Sequence, residues 1–197
     1  MPTLIKHFEE CRDTLERGWI LSYPTETTYG LGVNPFNQDA VELLDRTKKR
    51  SKGKPYLMLV KNIDMLNNYA VIDQPVRQIL EMLWPGPVSV VLKAKDKLPA
   101  WMIDKDGNAC FRVSSSKFAT KIFEYFDRPI VSTSANPESF PIAKDINEVL
   151  AYFQLEEKIA VFPDKFEDVK GLLPSTIIDL TKKPPKILRK GAVNIVF

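Results

Sequence analysis

Histidine and cysteine are scarce in this sequence. Its 197 residues include one histidine, His7, and two cysteines, Cys11 and Cys110. A single histidine excludes paired-histidine zinc sites and haem with two histidine ligands. Because His7 lies in the first predicted helix, far in sequence from the polar turns, a histidine-based triad is not expected either. Any catalysis must therefore use hydroxyl groups, carboxylates, cations and main-chain groups.

The sequence also lacks the features of secreted and membrane proteins. Two isolated cysteines are too few for a disulfide framework or a zinc site, and both lie in apolar patterns typical of small buried side chains. Acidic residues lie within the first eighteen positions, where a secretory signal would be apolar. No apolar run approaches the roughly 20 residues of a membrane-spanning helix. These absences, together with reduced thiols, predict a soluble, cytoplasmic protein without membrane contact.

Two common nucleotide-binding motifs are absent as well. There is no Gly-x-x-x-x-Gly-Lys-Ser/Thr loop and no Gly-x-Gly-x-x-Gly fingerprint. The formal net charge of +3 is mild and does not by itself indicate a nucleic-acid partner. Basic residues are instead concentrated locally, in the segment 46–54. Because this segment begins at the end of a predicted helix, the helix dipole alone also explains its charge.

Apolar periodicity predicts that helices and strands interleave along the chain. The predicted helices are 3–17, 39–49, 64–69, 75–84, 117–126 and 145–153. The predicted strands are 19–23, 56–60, 88–92, 109–113, 129–132, 158–162, 175–180 and 186–188, and a turn is predicted at 29–32. Since several connections are too short for crossover helices, we expect one α/β domain over residues 1–197, with a twisted mixed parallel and antiparallel sheet flanked by helices.

Polar segments recur where the predicted strands end. They are 25–32, 112–116, 132–136, 174–176 and 188–191. Hydroxyls and turn amides at a sheet edge can form an anion-binding concavity, and a cation there adds about 4 kcal/mol per contact at an effective dielectric of about 20. The candidate cations are Lys48, Arg50, Arg112 and Arg189. Each segment alone is explained as an ordinary turn, but together they predict a basic cleft for a small polyanion such as ATP.

Seven segments, taken in order, resemble the short form of the YrdC-like threonylcarbamoyl-AMP synthases. They are Pro-Thr-Glu-Thr-Thr-Tyr-Gly-Leu-Gly at 24–32, Lys48-Lys49-Arg50 with Lys54-Pro55, Trp84-Pro85-Gly86-Pro87-Val88, Phe111-Arg112-Val113, Ser134-Ala135-Asn136, Pro174-Ser175-Thr176 and Leu188-Arg189-Lys190-Gly191. One such segment would be weak evidence. Seven in the family's order cover nearly the whole chain and make the resemblance specific.

The resemblance implies a reaction. A nucleotidyltransferase of this family makes threonylcarbamoyl-AMP and pyrophosphate from L-threonine, bicarbonate or CO₂, and ATP, with Mg²⁺ accompanying the triphosphate. The product feeds the downstream threonylcarbamoyl-transferase machinery, which forms N6-threonylcarbamoyladenosine on tRNA. Weak binding of tRNA is a further expectation. The chemistry suits a chain with one histidine, because the carbamate, carboxylate and triphosphate groups are all anions that cations and oriented donors can bind.

The resemblance also assigns site residues by position. Thr25, Arg112 and Ser175 are expected to hold threonine, with Arg112 pairing bidentately with its carboxylate. Lys48 and Arg50 are expected to be the catalytic cations. The residues expected on the ATP side are Lys48, Arg50, Ser132, Ser134, Asn136 and Arg189. Thr27 and Tyr29 are expected to shape the wall.

The chain departs from the family pattern in several loops. Ser51 and Ser114 stand where relatives usually have proline, and the segment Pro137-Glu138-Ser139 lacks a usual glycine. Some relatives also have a histidine shortly after Pro55, and this chain has none there. These departures leave the local loop geometry open, but they do not remove the cations or the hydroxyls.

Two other functions remain open from the sequence. A non-catalytic module for tRNA or double-stranded RNA would use the basic segments 46–54 and 182–190, and its binding would weaken steeply with salt. A diverged carbamoyl- or acyl-adenylate enzyme would use the same segments on another substrate. The hydroxyl-rich turns favour a small ligand over a nucleic acid.

Overall fold

Ten strands and six α-helices lie along the part of the chain that the computed structural model describes, which is residues 1–51, 56–163 and 173–196. The strands are β1 (Thr3–Leu4), β2 (Ile20–Pro24), β3 (Tyr29–Val33), β4 (Leu57–Leu59), β5 (Val88–Lys93), β6 (Asn108–Arg112), β7 (Ile130–Ser134), β8 (Ile159–Val161), β9 (Thr176–Asp179) and β10 (Lys186–Arg189). The helices are α1 (Phe8–Glu16), α2 (Gln38–Lys48), α3 (Ile63–Leu66), α4 (Gln74–Leu83), α5 (Lys117–Ile122) and α6 (Ile146–Tyr152), and a 3₁₀ turn spans Ala100–Met102.

All these strands join one sheet in the order β1-β8-β2-β3-β7-β4-β6-β5-β9-β10. Parallel pairs such as β4–β6 and β5–β9 alternate with antiparallel pairs such as β3–β7 and β5–β6. The prediction of a mixed sheet flanked by helices is therefore confirmed. The order also brings chain segments that are far apart in sequence to neighbouring strands.

One face of the sheet carries the larger core cluster. Successive side chains of a strand point to opposite faces, so every second residue of the central strands enters this cluster. Leu31, Met58, Val90, Phe111 and Ile178 are among its fully buried strand residues. The apolar sides of α2, α3, α4 and α6 cover them, and burial of this kind contributes about 1.5–3 kcal/mol per large side chain.

The other face is covered along only part of its width. There α1 and α5 pack over β8, β2 and the nearby ends of β4 and β7, forming a second cluster around Phe118. Leu59 and Ile130 belong to that cluster, but Cys110 and Ser132, which point to the same face by alternation, lie beyond it. The described helices leave this remaining area open, and it forms a cavity.

Two sequence expectations need correction. The first helix begins at Phe8 and not at position 3, because Thr3–Leu4 forms β1 beside β8. The turn predicted at 29–32 is wrong, since these residues belong to β3 and pair with both β2 and β7. The glycines there serve close packing, as described below. At the start of α4 the Asp73 side chain caps the helix by accepting a hydrogen bond from Val76 N.

Candidate active site

A cavity of about 350 Å³ occupies the open part of the second sheet face. The strands β3, β7, β4, β6, β5, β9 and β10 and their ends supply its lining, together with residues from the end of α2. The lining residues are Thr25, Thr27, Thr28, Gly30, Arg50, Tyr56, Leu57, Val91, Cys110, Arg112, Ser132, Thr133, Ser134, Pro174, Ser175, Ile177, Leu188 and Arg189. Polar groups lie at the strand ends, and a short apolar floor crosses the middle of the sheet.

Most of the predicted site residues meet at this cavity. Those that line it are Thr25, Arg50, Arg112, Ser132, Ser134, Ser175 and Arg189. Lys48 and Asn136 do not line it, but they contact Ser134 from behind the wall. Thr27 shapes the wall as expected, whereas Tyr29 packs into the larger core cluster. Lys54 and Pro55 lie outside the described residues.

Arg112 is buried and held by two other segments of the chain. Its Nε donates to the main-chain oxygen of Gly86 at 3.0 Å, so the Trp-Pro-Gly-Pro turn fixes the guanidinium plane. Its Nη2 donates to the carboxylate of Glu26. The Nε–Nη2 side of the guanidinium is thus engaged by the protein. Among the described residues, Nη1 has no partner and is the edge left for a ligand.

Glu26 is the negative charge that balances Arg112. Its carboxylate also accepts a hydrogen bond from Ser114 Oγ at 2.5 Å and one from Ser115 N at 3.3 Å. Burial alone would raise the pKa of Glu26, but the charge of Arg112 and the hydrogen bonds from Ser114 and Arg112 outweigh it and lower the pKa. The carboxylate is therefore ionised at neutral pH. Ser114, one of the departures from the family pattern, has a defined role as its donor.

Arg189 is held against Ser175 at the β9–β10 side of the cavity. Its Nε and Nη2 donate to the main-chain oxygen of Ser175 at 3.0 and 2.7 Å, and Nη2 reaches Ser175 Oγ at 3.1 Å. Ser175 Oγ in turn shares a hydrogen bond of 2.8 Å with the buried Ser89 Oγ. Burial, with a further contribution from Arg112, lowers the pKa of Arg189, which stays charged at neutral pH. Residues expected for different substrates, Ser175 and Arg189, are thus in direct contact.

Lys48 ends α2 and points behind the cavity wall. Asn37 caps the start of this helix, and Lys49 closes it in the left-handed conformation at φ 53°, which fixes the last turn. The Lys48 ammonium donates to the main-chain oxygens of Ser134 and Asn136, the second at 2.6 Å. Burial, together with the charge of Arg50 and against an opposing effect of Glu138, lowers the pKa of Lys48 to about 8.

Arg50 follows α2 directly and reaches the cavity. Its guanidinium carbon lies 4.9 Å from the centroid of the Tyr56 ring, a cation–π distance, and its Nε lies 3.8 Å from Asp45 Oδ1. Tyr56 also lines the cavity. The ring therefore supports a guanidinium that faces the ligand space.

The segment after α2 is joined to the loop after β7. Ser51 donates through both its main-chain N and its Oγ to the carboxylate of Glu138, at 2.5 and 2.9 Å. Glu138 N donates to the main-chain oxygen of Lys48 at 2.7 Å. A proline at position 51 would have neither donor. The two departures from the family pattern, Ser51 and Glu138, thus bond to each other. Together they join the segment that follows Lys48 to the loop that holds Asn136.

The hydroxyl-rich turn at 25–28 is held by its own side chains. Thr25 Oγ1 donates to the main-chain oxygen of Thr28 at 2.6 Å and accepts from Thr28 N at 3.2 Å. It also lies 3.0 Å from Thr27 Oγ1. A side chain that closes its own turn in this way is typical of threonine after a strand. The turn therefore presents Thr27 and Thr28 to the cavity in fixed positions.

Sequence reasoning missed several residues of the site. Cys110 lies on the floor of the cavity, two positions before Arg112 on the same strand. Ser89 lies two positions before the floor residue Val91, and its hydroxyl is hydrogen-bonded to that of Ser175. The period-2 pattern of their strands is the signal that places them on this face. Burial raises the pKa of Cys110 to about 12, so its thiol is protonated and unreactive at neutral pH. Tyr23, which donates to Ser132 Oγ at 2.8 Å, carried no such signal.

The arrangement suits the binding and orientation of small anions. Three guanidinium groups, several hydroxyls and a short apolar floor surround a space large enough for a small ligand. Because Glu26 neutralises Arg112, the basic character of the cleft stays a prediction. Among the described residues, no helix combines the length and apolar character needed to cross a membrane.

The chain matches a known family over most of its length. The Sua5, YciO and YrdC family model, described as "Telomere recombination", matches residues 13–191. A threonylcarbamoyl-AMP synthase of Cellvibrio japonicus is 34% identical over 140 residues, which are 71% of this chain and 74% of that protein. A threonylcarbamoyl-AMP synthase of Blochmanniella floridana is 34% identical over 184 residues, which are 90% of this chain and 93% of that protein.

A solved structure resembles the whole fold. The crystal structure of Pyrococcus abyssi Sua5 complexed with L-threonine superposes with a TM-score of 0.86 at 26% identity. The match covers 97% of this chain and 57% of the Pyrococcus chain, so this chain spans little more than half of that longer protein.

Proposed function

The chain belongs to the Sua5, YciO and YrdC family, and we propose that it makes threonylcarbamoyl-AMP and pyrophosphate from L-threonine, bicarbonate or CO₂, and ATP. The names of its relatives and the threonine complex of the Pyrococcus structure support this proposal. The observation that carries it is the cavity, where Arg50, Arg112 and Arg189 meet hydroxyl residues from the segments 25–28, 132–134 and 174–175. The enzyme is then a nucleotidyltransferase.

We assign the two substrates to different parts of the cavity. The Arg112 region, meaning Arg112, Glu26 and Ser114, offers one free guanidinium edge beside the turn of Thr25, which suits a single carboxylate such as that of threonine. The Lys48 region, meaning Lys48, Ser134 and Asn136, meets the cavity through Ser134 and places the Lys48 charge behind that wall, close to Arg50, which suits phosphates. Arg189, held on Ser175, lies on the Arg112 side and is assigned to the place where the substrates react.

The chemistry requires orientation more than proton transfer by a histidine. The amine of threonine attacks CO₂ and loses a proton, which forms a carbamate. A carbamate oxygen then attacks the α-phosphorus of ATP as the bond to pyrophosphate breaks. The first step creates an anion and releases its proton to solvent, and the second step brings two anions together, so preorganised cations and hydroxyl donors lower the barrier by binding the developing charge. The described cavity supplies groups of these types.

Magnesium is proposed to enter with the ATP phosphates. Mg²⁺ commonly keeps several waters and binds through substrate phosphates and one or two carboxylates. Glu26 and Glu138 are already hydrogen-bonded to Arg112 and Ser51. The part of the chain that the structure describes holds no group of three His, Cys, Asp or Glu residues suited to a metal ion. The residues present therefore do not form a ready-made magnesium site.

The product would serve tRNA modification. We propose that threonylcarbamoyl-AMP passes to a downstream transferase that forms N6-threonylcarbamoyladenosine, in the cytoplasm where tRNA is modified. The chain itself would need only weak contact with tRNA. The cavity favours the enzyme over an RNA-binding module, because its donors converge on a space of about 350 Å³, the size of a small-molecule site.

Pyrophosphate release tests the proposal. Purified protein is incubated with ATP, Mg²⁺ and bicarbonate, with L-threonine, with L-serine or with no amino acid. We expect release that depends on threonine and falls to background without bicarbonate. Release with serine but not threonine would favour a diverged adenylate-forming enzyme. No release with any amino acid, from protein shown to be folded, would overturn the proposed function.

A further inference from the structure

Tyr23 crosses beneath a strand to reach the active-site cavity. It lies on β2, but its hydroxyl donates to Ser132 Oγ on β7 at 2.8 Å, so the side chain spans the intervening strand β3. One face of its ring stacks on Phe118 of α5, with ring centroids 4.9 Å apart and planes 12° from parallel. The ring therefore lies between a helix and the main chain of β3.

Two glycines of β3 make room for this ring. A Cβ built on Gly32 would lie 2.8 Å from Tyr23 Cε1 and 2.9 Å from both Ile130 Cγ2 and Val131 O. One built on Gly30 would lie 3.3 Å from Tyr23 Cε2. A side chain at either position would press on the ring or the neighbouring strand. The paired glycines, first interpreted as a turn, are thus the condition for the Tyr23–Ser132 contact.

The tyrosine stays a donor at any physiological pH. It is fully buried, and this burial raises the pKa of its hydroxyl against a smaller opposing effect of the Ser132 hydrogen bond. Its proton consequently remains in place. The ring between Phe118 and β3 has little freedom to turn the hydroxyl elsewhere.

The contact determines what Ser132 can offer a ligand. A serine hydroxyl has one hydrogen to donate and oxygen lone pairs that accept. Tyr23 occupies the oxygen as a donor, so the hydrogen of Ser132 points away from it. Among the described residues, Ser132 Oγ has no other hydrogen-bond partner, and Ser132 lines the cavity. Its hydrogen is therefore available to the cavity.

We propose that Tyr23 is a positioning residue that makes Ser132 an obligatory hydrogen-bond donor to a phosphate oxygen of ATP. The identification of the acceptor as ATP rests on the proposed function. In this role Ser132 favours an anionic oxygen at that point of the cavity, and Tyr23 achieves this without touching the ligand.

If Tyr23 acted in packing alone, Tyr23→Phe would leave the affinity for the ligand unchanged. The ring carries the stacking on Phe118 and the contact with the β3 glycines, and phenylalanine would preserve both. The hydroxyl matters only for Ser132. Removing it tests the proposal with little change in volume.

The experiment measures binding of adenosine 5′-(β,γ-imido)triphosphate by calorimetry. We expect Tyr23→Phe to weaken the affinity about fivefold. The variant loses the hydrogen bond that orients Ser132, and Ser132 is the proposed donor to the charged phosphate. Tyr69→Phe is the control, because Tyr69 packs near Phe36 on the larger core face and does not line the cavity. It should leave the affinity unchanged. Equal affinity of Tyr23→Phe and wild type would overturn the proposal.

A double-mutant cycle with Ser132→Ala separates positioning from a structural effect. If Tyr23 acts through Ser132, then Tyr23→Phe should change the affinity less than about twofold in the Ser132→Ala background. A loss of the same size in both backgrounds would show that Tyr23 acts by another route and would overturn the proposal. Absence of analogue binding to the wild type would overturn it too, since Ser132 would then have no phosphate to meet.

The proposed function and this inference can fail independently. Pyrophosphate release reports the reaction, while the binding cycle reports the Ser132 donor. A chain that binds the analogue with the expected Tyr23 dependence but releases no pyrophosphate would keep the inference and lose the function. Threonine-dependent release with no Tyr23 dependence of binding would do the reverse.

Discussion

Arg112 and Lys48 are both buried cations, each about 4% exposed, but the chain balances their charges differently. Arg112 pairs with a carboxylate, Glu26, that Ser114 also holds. Lys48 donates to neutral main-chain oxygens of Ser134 and Asn136 and has a pKa lowered to about 8. One region is a closed ion pair with a single free edge, and the other keeps positive charge. The contrast is the basis for proposing that a mono-carboxylate binds at the first region and a polyphosphate at the second.

The largest effect should come from opening the ion pair. Arg112→Ala leaves Glu26 charged and buried without its partner, so we expect a loss of about 3–5 kcal/mol in the free energy of unfolding. Threonine-dependent pyrophosphate release should fall at least about a hundredfold, since a charged contact to substrate is lost as well. Chemical denaturation and the release assay measure the two effects.

Two further variants control this result. Arg77→Ala, on the exposed side of α4 beside Glu81, should change stability by less than about 0.5 kcal/mol and leave release unchanged. Combining Glu26→Gln with Arg112→Gln removes both charges and should recover part of the stability but none of the activity. Near-normal release from Arg112→Ala would contradict the assignment of threonine to this region.

A smaller effect should come from titrating Lys48. Since its folded pKa of about 8 lies below the ordinary lysine value, the positive charge that Lys48 places behind the proposed phosphate side of the cavity is lost as the pH rises through 8. Affinity for the ATP analogue should therefore fall about tenfold between pH 7 and pH 9. Arg50 and Glu138 are the charged groups whose effects on this pKa oppose each other, so both are left unchanged in the experiment.

Lys48→Arg is the matched control for this titration. Arginine stays charged over the whole range, so the pH dependence should disappear even if the affinity itself drops. The same sign rule holds for stability: folding disfavours the Lys48 ammonium, so its destabilising contribution is relieved as the pH rises above 8. An unchanged pH profile in Lys48→Arg would assign the titration to another group.

The smallest effect should come from Glu26→Gln, which keeps the shape of the pair but removes its negative charge. We expect the KM for threonine to rise about fivefold with little change in kcat, because Glu26 positions Arg112 without touching substrate. Glu81→Gln, at an exposed pair, should change neither constant. A large fall in kcat at unchanged KM would mean that Glu26 takes part in the reaction itself.

The same variant has a defined acid dependence. The pKa of Glu26 is lower in the folded than in the unfolded chain, so its stabilising contribution is present above the unfolded value and is lost as the pH falls through the folded one. The wild type should therefore lose more stability than Glu26→Gln when the pH is lowered from 6 toward 3.

Motif order predicted much of this site, and tertiary packing decided the rest. Thr25, Arg112 and Ser175 lie at one cavity, as predicted, because each lies at or next to an end of a strand of the same sheet. The position of Lys48 behind the wall could not be predicted, because it depends on which side of the loop after β7 the end of α2 meets. Asn136, which was also expected at the ATP side of the cavity, lies behind the wall for the same reason.

The segment at 29–32 shows why local pattern misled. Glycine is favoured both where a turn needs conformational freedom and where another group approaches closely. Sequence alone does not separate these cases. Here the group that approaches closely is the ring of Tyr23, a residue of the preceding strand. The Tyr23 hydroxyl bonds to Ser132, more than a hundred residues further along the chain.

The most direct test of the two-region account is to measure binding of L-threonine and of the ATP analogue to Arg112→Lys and Lys48→Met. Lysine at 112 keeps a charge for Glu26 but loses the guanidinium edge, so threonine affinity should fall at least about tenfold while analogue affinity stays within about twofold. Lys48→Met should give the reverse. Equal loss of both ligands in both variants, in proteins that remain folded, would contradict the assignment of the two substrates to these two regions.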